Sequence, residues 1–236
     1  MIQMKHVQLS RILTFIHEKI GLLIGLNSSD TTAKFLRKLL TNGSTVIDVG
    51  ANRGDFALLC QEACKQVTMV LIEPQIEMQY SLQKIMRNGD LYFPVALSNV
   101  KYDGYINRKT IGDRKASLSE KSTNFPIQVS TLDQIITDCE LKKVDLVKID
   151  TEGNDFKVIL GAQKSIQESV IEKILFEVNF KTLFGGSLPK DIELWLREHG
   201  FQYFYRTTKW LGFVPLKKLE NYRAENQNIL CTKVPL

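Results

Sequence analysis

From Thr45 onward, the chain alternates between short runs of β-branched and aliphatic residues and longer segments with apolar residues at helical spacing. Seven runs of the first kind predict strands, namely TVIDV, VTMVLIEP, LYFPVAL, VDLVKID, IEKILFEVN, FQYFYR and NILCTKV. Strands that alternate with helices are typical of a doubly wound, mostly parallel sheet. The pattern therefore predicts one α/β domain built on a mostly parallel, seven-stranded sheet.

Two regions depart from this alternation. Residues 99–130 hold a polar loop and the run FPIQVSTL, which predict a small β insertion with an exposed tip. Before Thr45, apolar residues recur at helical spacing until Asn42 and Gly43, which predicts two helices through Leu9, Ile12, Ile16, Ile20 and then Phe35, Leu36, Leu39 and Leu40. We divide the chain into an N-terminal helical cap, residues 1–42, and a main domain, residues 43–236.

The role of the cap stays open at this point. Packing on the main domain is the simplest interpretation, and the alternatives are a lid over a site or an arm that forms a homodimer. A membrane-surface helix has little support, because the cap is only slightly enriched in Lys and Arg.

Composition narrows the class of protein. The 236 residues are 44% hydrophobic and 24% charged, which is ordinary for a globular protein. The net charge of +5 is compatible with anionic ligands, but the positive residues form no dense run, so a nucleic-acid partner is not favoured. No apolar stretch approaches the length of a transmembrane segment. Four cysteines without zinc-site spacing indicate reduced thiols and a cytoplasmic protein.

Candidate chemistry is concentrated at the ends of the predicted strands, where open α/β sheets bind ligands. The first strand runs into Asp48, Gly50, Asn52 and Gly54. Glycines permit a sharp turn, and the N-terminus of the next helix can bind an anionic group. The spacing is not GxGxxG, which argues against a nicotinamide-dependent oxidoreductase. Glu73, 19 residues beyond Gly54, follows the second strand and can accept the hydroxyls of a ribose.

Three carboxylates come from two later strands. Asp150 and Glu152 follow the strand that contains Lys148, and Glu177 lies near the end of the next strand. Such a set can supply a general base, bind a divalent metal ion or pair with a fixed cation. The alternative is that Asp150 or Glu152 only caps the following helix.

These segments resemble the FkbM-family S-adenosylmethionine-dependent methyltransferases. The resemblance runs in order and in spacing from about Thr45 to residue 179 and rests on VIDVGANRGDFALL, VLIEP, PVALSN, STLDQII, VDLVKIDTEGNDFKVILGA and ILFEVN. It implies a Rossmann-like class I methyltransferase fold, S-adenosylmethionine as cofactor and O-methylation of a hydroxyl on a sugar, glycan or similar small molecule. Asp155 departs from the family, which commonly has Glu at that position.

The resemblance also implies roles for individual residues. Asp48, Gly50, Asn52 and Gly54 would line the methionine end of the cofactor, and Glu73 would hold its ribose. Ala96 and Leu97 would border the adenine. We also place Ala51, Pro74 and Asp150 in the cofactor-binding set.

For catalysis we favour a carboxylate, because His6, His17 and His199 all lie outside the motifs. Asp150 is our first choice of general base, and Glu152 or Glu177 would orient it or hold a metal ion. The alternatives to a small-molecule methyltransferase are an RNA or protein methyltransferase and a non-catalytic nucleotide-binding protein. We expect Ser117 and the insertion around it to cover the acceptor.

Overall fold

Two β-sheets organise the chain in a computed structural model that describes residues 28–110, 113, 116–119, 125–178, 189–208, 212–217, 219 and 227–236. The described strands are β1 (Thr45–Val49), β2 (Thr68–Ile72), β3 (Leu91–Phe93), β4 (Ala96–Leu97), β5 (Tyr102–Asn107), β6 (Ser117–Ser119), β7 (Pro126–Ser130), β8 (Leu146–Ile149), β9 (Lys173–Val178), β10 (Tyr203–Thr208), β11 (Gly212–Leu216) and β12 (Gln227–Thr232).

The described helices connect most of these strands. They are α1 (Ser28–Leu39), α2 (Asp55–Ala63), α3 (Gln79–Ile85), α4 (Leu132–Asp138), α5 (Asp155–Leu160), α6 (Gln163–Gln167) and α7 (Pro189–Glu198), with a short 3-10 turn at Ile76–Met78. None of the described helices has the length and apolar character needed to span a bilayer.

Eight of the described strands form the larger sheet, in the order β11-β10-β12-β9-β8-β1-β2-β3. The five strands from β9 to β3 are parallel, whereas β12 runs antiparallel to both β9 and β10, and β11 is antiparallel to β10. The sheet is therefore mixed and has eight described strands, which corrects the predicted seven-stranded, mostly parallel sheet. The unpredicted strand, β11, is an edge strand that contains Gly212 and Pro215, and both residues weaken a strand pattern in the sequence.

The predicted third strand is divided between two sheets. Leu91–Phe93 pairs with β2 in the larger sheet, whereas Ala96–Leu97 pairs with β7 in a second sheet of order β4-β7-β5-β6. Pro94 lies at the break and cannot donate a ladder hydrogen bond. The second sheet confirms the predicted β insertion.

The alternation of side chains along the strands gives the larger sheet two buried faces. Ile47 and Val49 of β1 join a cluster that includes Val158 of α5 and Leu196 of α7. Val46 faces the other side and belongs to a second apolar cluster, to which α1, α2 and α3 contribute. Asp48, two residues after Val46, projects to that same second side and is fully buried.

The second predicted cap helix is confirmed as α1, whose Leu36 and Leu39 are buried in the second cluster. The first predicted cap helix lies outside the described residues, as does any contact that it makes with another subunit. The four cysteines are free thiols.

The order of the strands reverses beside β1. The chain moves from β1 to β2 and β3 on one side and later returns to β8 on the other. In open α/β sheets this reversal opens a crevice beyond the carboxyl ends of the two central strands. The residues that follow β1 and β8 therefore meet at one place.

Candidate active site

A cavity of about 440 Å³ lies at the carboxyl ends of β1, β2 and β8. One wall comes from the larger sheet. The opposite wall comes from the second sheet and its loop, and it consists of Ile106, Asp113, Ala116, Ser117, Leu118 and Ile127. We call these six residues the insertion wall. The insertion around Ser117, which we expect to cover the acceptor, thus contributes one wall of this cavity.

Most of the sequence-predicted site residues line this cavity, and they are Gly50, Ala51, Asn52, Glu73, Pro74, Ala96, Leu97, Asp150 and Glu152. Asp48, Gly54 and Glu177 are not among the lining residues. Asp48 is fully buried. Gly54 begins α2 in a left-handed conformation, and a Cβ atom there would collide with Ile85 of α3.

Glu177 lies within β9 rather than after it, and it is not among the residues that line the cavity. It pairs with Asn228 of β12 inside the ladder, whereas Asp150 follows the last residue of its strand. In addition, β9 is one strand further from β1 than β8 is. The structure therefore brings Asp150 and Glu152 together at the cavity and leaves Glu177 outside its lining.

The glycine loop after β1 requires a residue without a side chain at position 50. Gly50 has a φ of 80°, and a Cβ atom there would collide with the carbonyl oxygen of Asp150. The ends of β1 and β8 thus touch through their backbones. Asn52 also has a left-handed φ, of 47°, and its side-chain Oδ1 is buried without a hydrogen-bond partner among the described residues.

Glu73 fixes the loop from the neighbouring strand. Its two carboxylate oxygens accept hydrogen bonds from the backbone N–H groups of Asn52 and Gln75, both at 2.9 Å. Burial raises the pKa of Glu73, and these two hydrogen bonds oppose the rise. Because each carboxylate oxygen has two lone pairs, Glu73 can still accept hydroxyl groups from a ligand in the cavity.

Lys148 joins two carboxylates, the buried one of Asp48 and that of Asp150 in the cavity. Its Nζ lies 3.3 Å from Asp48 Oδ1 and 3.3 Å from Asp150 Oδ2. Burial alone would lower the pKa of Lys148, but the two carboxylates raise it above its ordinary value. Burial raises the pKa of Asp48, and Lys148 opposes that rise. The ammonium group therefore stays charged and holds Asp150, whose side chain is 41% exposed, at the cavity surface.

Asp155 holds the loop that follows Asp150. Its Oδ2 accepts hydrogen bonds from Thr151 Oγ1 at 2.9 Å and from the backbone N–H of Gly153 at 3.3 Å. Burial is the main reason that the pKa of Asp155 rises to about 7. The N-cap residue of α5 is Asn154, so neither Asp150 nor Glu152 occupies the capping position. This observation argues against a purely capping role for those two carboxylates.

Several lining residues were not assigned a role from the sequence, and they include Arg53, Phe56, Gln75, Asp113 and Asn154. Gln75 could have been found from its place directly after Glu73 and Pro74, and Arg53 from its place in the glycine loop. No comparable signal marks Asp113, because its position depends on how the insertion folds over the sheet.

His199 and the aromatic residues that follow it are not among the residues that line the cavity. His199 stacks on Trp195 with ring centroids 3.9 Å apart. The aromatic residues Phe201 and Phe204 are buried in the core of the larger sheet. Within the described ranges, no group of three His, Cys, Asp or Glu side chains is arranged to hold a metal ion.

Comparison with known proteins identifies a family. Residues 48–203 match the Methyltransferase FkbM domain. No curated protein matches the chain.

Solved structures similar to this one include three proteins with low sequence identity. Precorrin-6y C5,15-methyltransferase from Geobacter metallireducens GS-15 is 13% identical, with 86% of this chain and 87% of that chain covered and a TM-score of 0.46. An rRNA methylase from Streptococcus thermophilus is 10% identical, with coverage of 86% and 94% and a TM-score of 0.46. TrmK from M. capricolum, in complex with S-adenosyl-homocysteine, is 12% identical, with coverage of 85% and 67% and a TM-score of 0.45.

The buried ion pair predicts a large effect on stability. Replacing Lys148 with Met leaves Asp48 buried without its cation, so we expect the free energy of unfolding to fall by about 3–5 kcal/mol in urea denaturation. The control is Lys164→Met, because Lys164 is 67% exposed and pairs with Glu168 at 4.0 Å. We expect that control to lose less than about 1 kcal/mol.

A double variant, Asp48→Asn with Lys148→Met, removes both charges together and should be more stable than Lys148→Met alone. A Lys148→Met protein as stable as the Lys164→Met control would contradict the structural importance of this pair.

Proposed function

Because the chain belongs to the FkbM methyltransferase family and is an S-adenosylmethionine-dependent methyltransferase, we propose that it methylates a hydroxyl group of a sugar, glycan or other small hydroxylated molecule. The observation that carries this proposal is the position of Asp150. Its carboxylate is partly exposed in the cavity, where the order of the strands reverses. An ion pair with the buried Lys148 holds it there.

We place the cofactor against the glycine loop and Glu73. Gly50, Ala51 and Asn52 would line its methionine end, with Asp48 and Gly54 shaping the loop from outside the cavity. The buried, unpartnered Oδ1 of Asn52 needs a donor, and a bound ligand with N–H or O–H groups supplies one. The residues present therefore fit such a ligand.

The adenosine end would extend toward β2 and β4. Glu73, whose oxygens keep free lone pairs, would accept the ribose hydroxyls. Pro74, Ala96 and Leu97 would border the adenine. S-adenosylmethionine supplies a methyl group on a positively charged sulfur, which makes that methyl electrophilic.

Asp150 would serve as the general base. A hydroxyl nucleophile must lose its proton as it is methylated, and a positioned carboxylate that accepts the proton typically accelerates such a reaction by about 10²–10⁴-fold. Lys148 pairs with Oδ2 of Asp150, so Oδ1 is the oxygen that would accept the proton. Glu152, which also lines the cavity, would orient the acceptor hydroxyl.

The charges of the cavity favour an uncharged acceptor over a nucleic acid. Among the described lining residues, the cations are Arg53 and Lys148, and the carboxylates are Asp55, Glu73, Asp113, Asp150 and Glu152. Lys148 is already shared between Asp48 and Asp150. A phosphodiester backbone would meet more negative than positive groups here, whereas carboxylates can accept hydrogen bonds from a polyhydroxylated molecule.

The proposed role of Glu73 predicts a loss of cofactor affinity in Glu73→Gln. Because hydrogen bonds to a charged group contribute about 1.5–3 kcal/mol, the dissociation constant of S-adenosylhomocysteine should rise at least about tenfold, as measured by calorimetry. Glu62→Gln, on an exposed part of α2, should bind as the wild type does. Unchanged affinity in a folded Glu73→Gln protein would refute the ribose role.

The proposed base predicts that Asp150→Asn loses turnover. We expect kcat to fall at least about 100-fold in single-turnover methyl transfer, because Asn cannot take the proton. The matched control is Asp138→Asn on the exposed end of α4, which should retain wild-type turnover. Normal turnover in Asp150→Asn would remove Asp150 from catalysis.

The acceptor class is tested by transfer of a labelled methyl group from S-adenosylmethionine. We expect incorporation into uncharged glycosides or other small hydroxylated molecules, with little incorporation into RNA or protein offered at the same concentration. Labelling confined to RNA or to protein would overturn the proposed acceptor class and favour one of the alternative methyltransferases.

A further inference from the structure

An ion pair connects the second sheet to the 3-10 turn that follows β2 and Glu73. Arg108 directly follows β5, and its guanidinium donates two hydrogen bonds to the carboxylate of Glu77, at 2.9 and 2.6 Å. The Arg108 side chain is 6% exposed, whereas that of Glu77 is 32% exposed, so only the guanidinium side of the pair is enclosed. Bidentate pairs of this kind are among the stronger polar contacts in proteins and also fix geometry.

Two further contacts hold this guanidinium in place. Its central carbon lies 3.9 Å from the centroid of the ring of Phe125, the residue directly before β7. One of its nitrogens also lies 3.5 Å from Gln75 Oε1. Arg108 therefore connects the second sheet with the segment that follows β2. We call Arg108, Glu77 and Gln75 the Arg108 clamp.

Gln75 extends the clamp to the cavity. Its backbone N–H donates to Glu73 Oε1 at 2.9 Å, and its side-chain Nε2 donates to the carbonyl oxygen of Asp113 at 3.2 Å. Asp113 in turn accepts a hydrogen bond from the backbone N–H of Lys109 and belongs to the insertion wall. One buried residue is thus bonded to the Glu73 carboxylate through its backbone and to the insertion wall through its side chain.

We propose that the Arg108 clamp is a positioning device that sets the affinity for the methyl donor by holding the insertion wall at a fixed distance from Glu73. Arg108 is not a lining residue, so it acts through Gln75 and Asp113 rather than by touching the ligand. When the clamp is broken, the wall and Gln75 lose their shared anchor. The ligand must then order them itself, which weakens binding.

This proposal rests on the placement of the methyl donor in the cavity. The experiment below tests the clamp and that placement with different variants. Calorimetry measures the dissociation constant of S-adenosylhomocysteine for the wild type, Arg108→Gln, Glu77→Gln and the double variant. We expect each single variant to bind about tenfold more weakly, and the double variant to bind no more weakly than the worse single variant, because the pair acts as a unit. Arg108→Lys keeps the charge without the second donor and should recover part of the affinity.

The matched control is Arg37→Gln. Arg37 belongs to an exposed pair, 4.0 Å from Glu62, and we expect that variant to bind as the wild type does. Glu73→Gln tests the placement of the donor in the same assay. If Glu73→Gln weakens binding and Arg108→Gln does not, the clamp proposal is wrong and the placement stands. If the wild type binds S-adenosylhomocysteine and both variants bind it equally well, the placement itself is wrong.

Hydrogen exchange distinguishes positioning from a general loss of structure. In ligand-free Arg108→Gln, we expect faster exchange in residues 102–108 and 75–78, with unchanged protection in β1 and β8. Faster exchange throughout β1 and β8 would mean that Arg108 supports the fold as a whole, and it would overturn the positioning role.

Discussion

A carboxylate buried on a central strand requires a positive charge beside it, and Asp48 receives that charge from Lys148, its register partner on the neighbouring strand. The same ammonium reaches Asp150, two residues further along its own strand. The buried carboxylate of Asp48 and the exposed carboxylate of Asp150 therefore share one cation. Gly50 completes this arrangement, because the backbones beyond the two strands touch at a point where no side chain would fit.

The residues that directly follow strands were the ones that the sequence could locate. Gly50, Glu73 and Asp150 each stand at the end of a run of β-type residues, and parallel strands bring such ends to one edge. Glu177 resembles them in the sequence, but it lies inside its strand and is paired in the ladder. A hydrophobic pattern gives the approximate position of a strand and not its last residue, and one residue decides whether a side chain faces the crevice.

The second sheet was predictable as an insertion, and its contribution to the cavity was not. Pro94 divides the run that the pattern treats as one strand, so that Ala96 and Leu97 pair with a different sheet. The contacts between Arg108 and Glu77 join residues that are 31 positions apart, one directly after β5 of the second sheet and the other in the 3-10 turn after β2. Such contacts follow from packing rather than from local periodicity. The sequence pattern therefore could not predict that the insertion forms one wall of the cavity.

The two prolines at the margins of the larger sheet have a consequence for how the protein behaves at high concentration. Unpaired edge strands are templates on which other chains can add by backbone pairing, and this is a common route to aggregation. One edge of the described sheet is β11, which carries Pro215, and the other is the three-residue β3, which stops at Pro94. A proline offers no N–H to an incoming strand, and a three-residue strand offers too short a ladder. Both edges are thus poor starting points for amyloid-like growth, although the sheet between them has many strands and is rich in aliphatic residues.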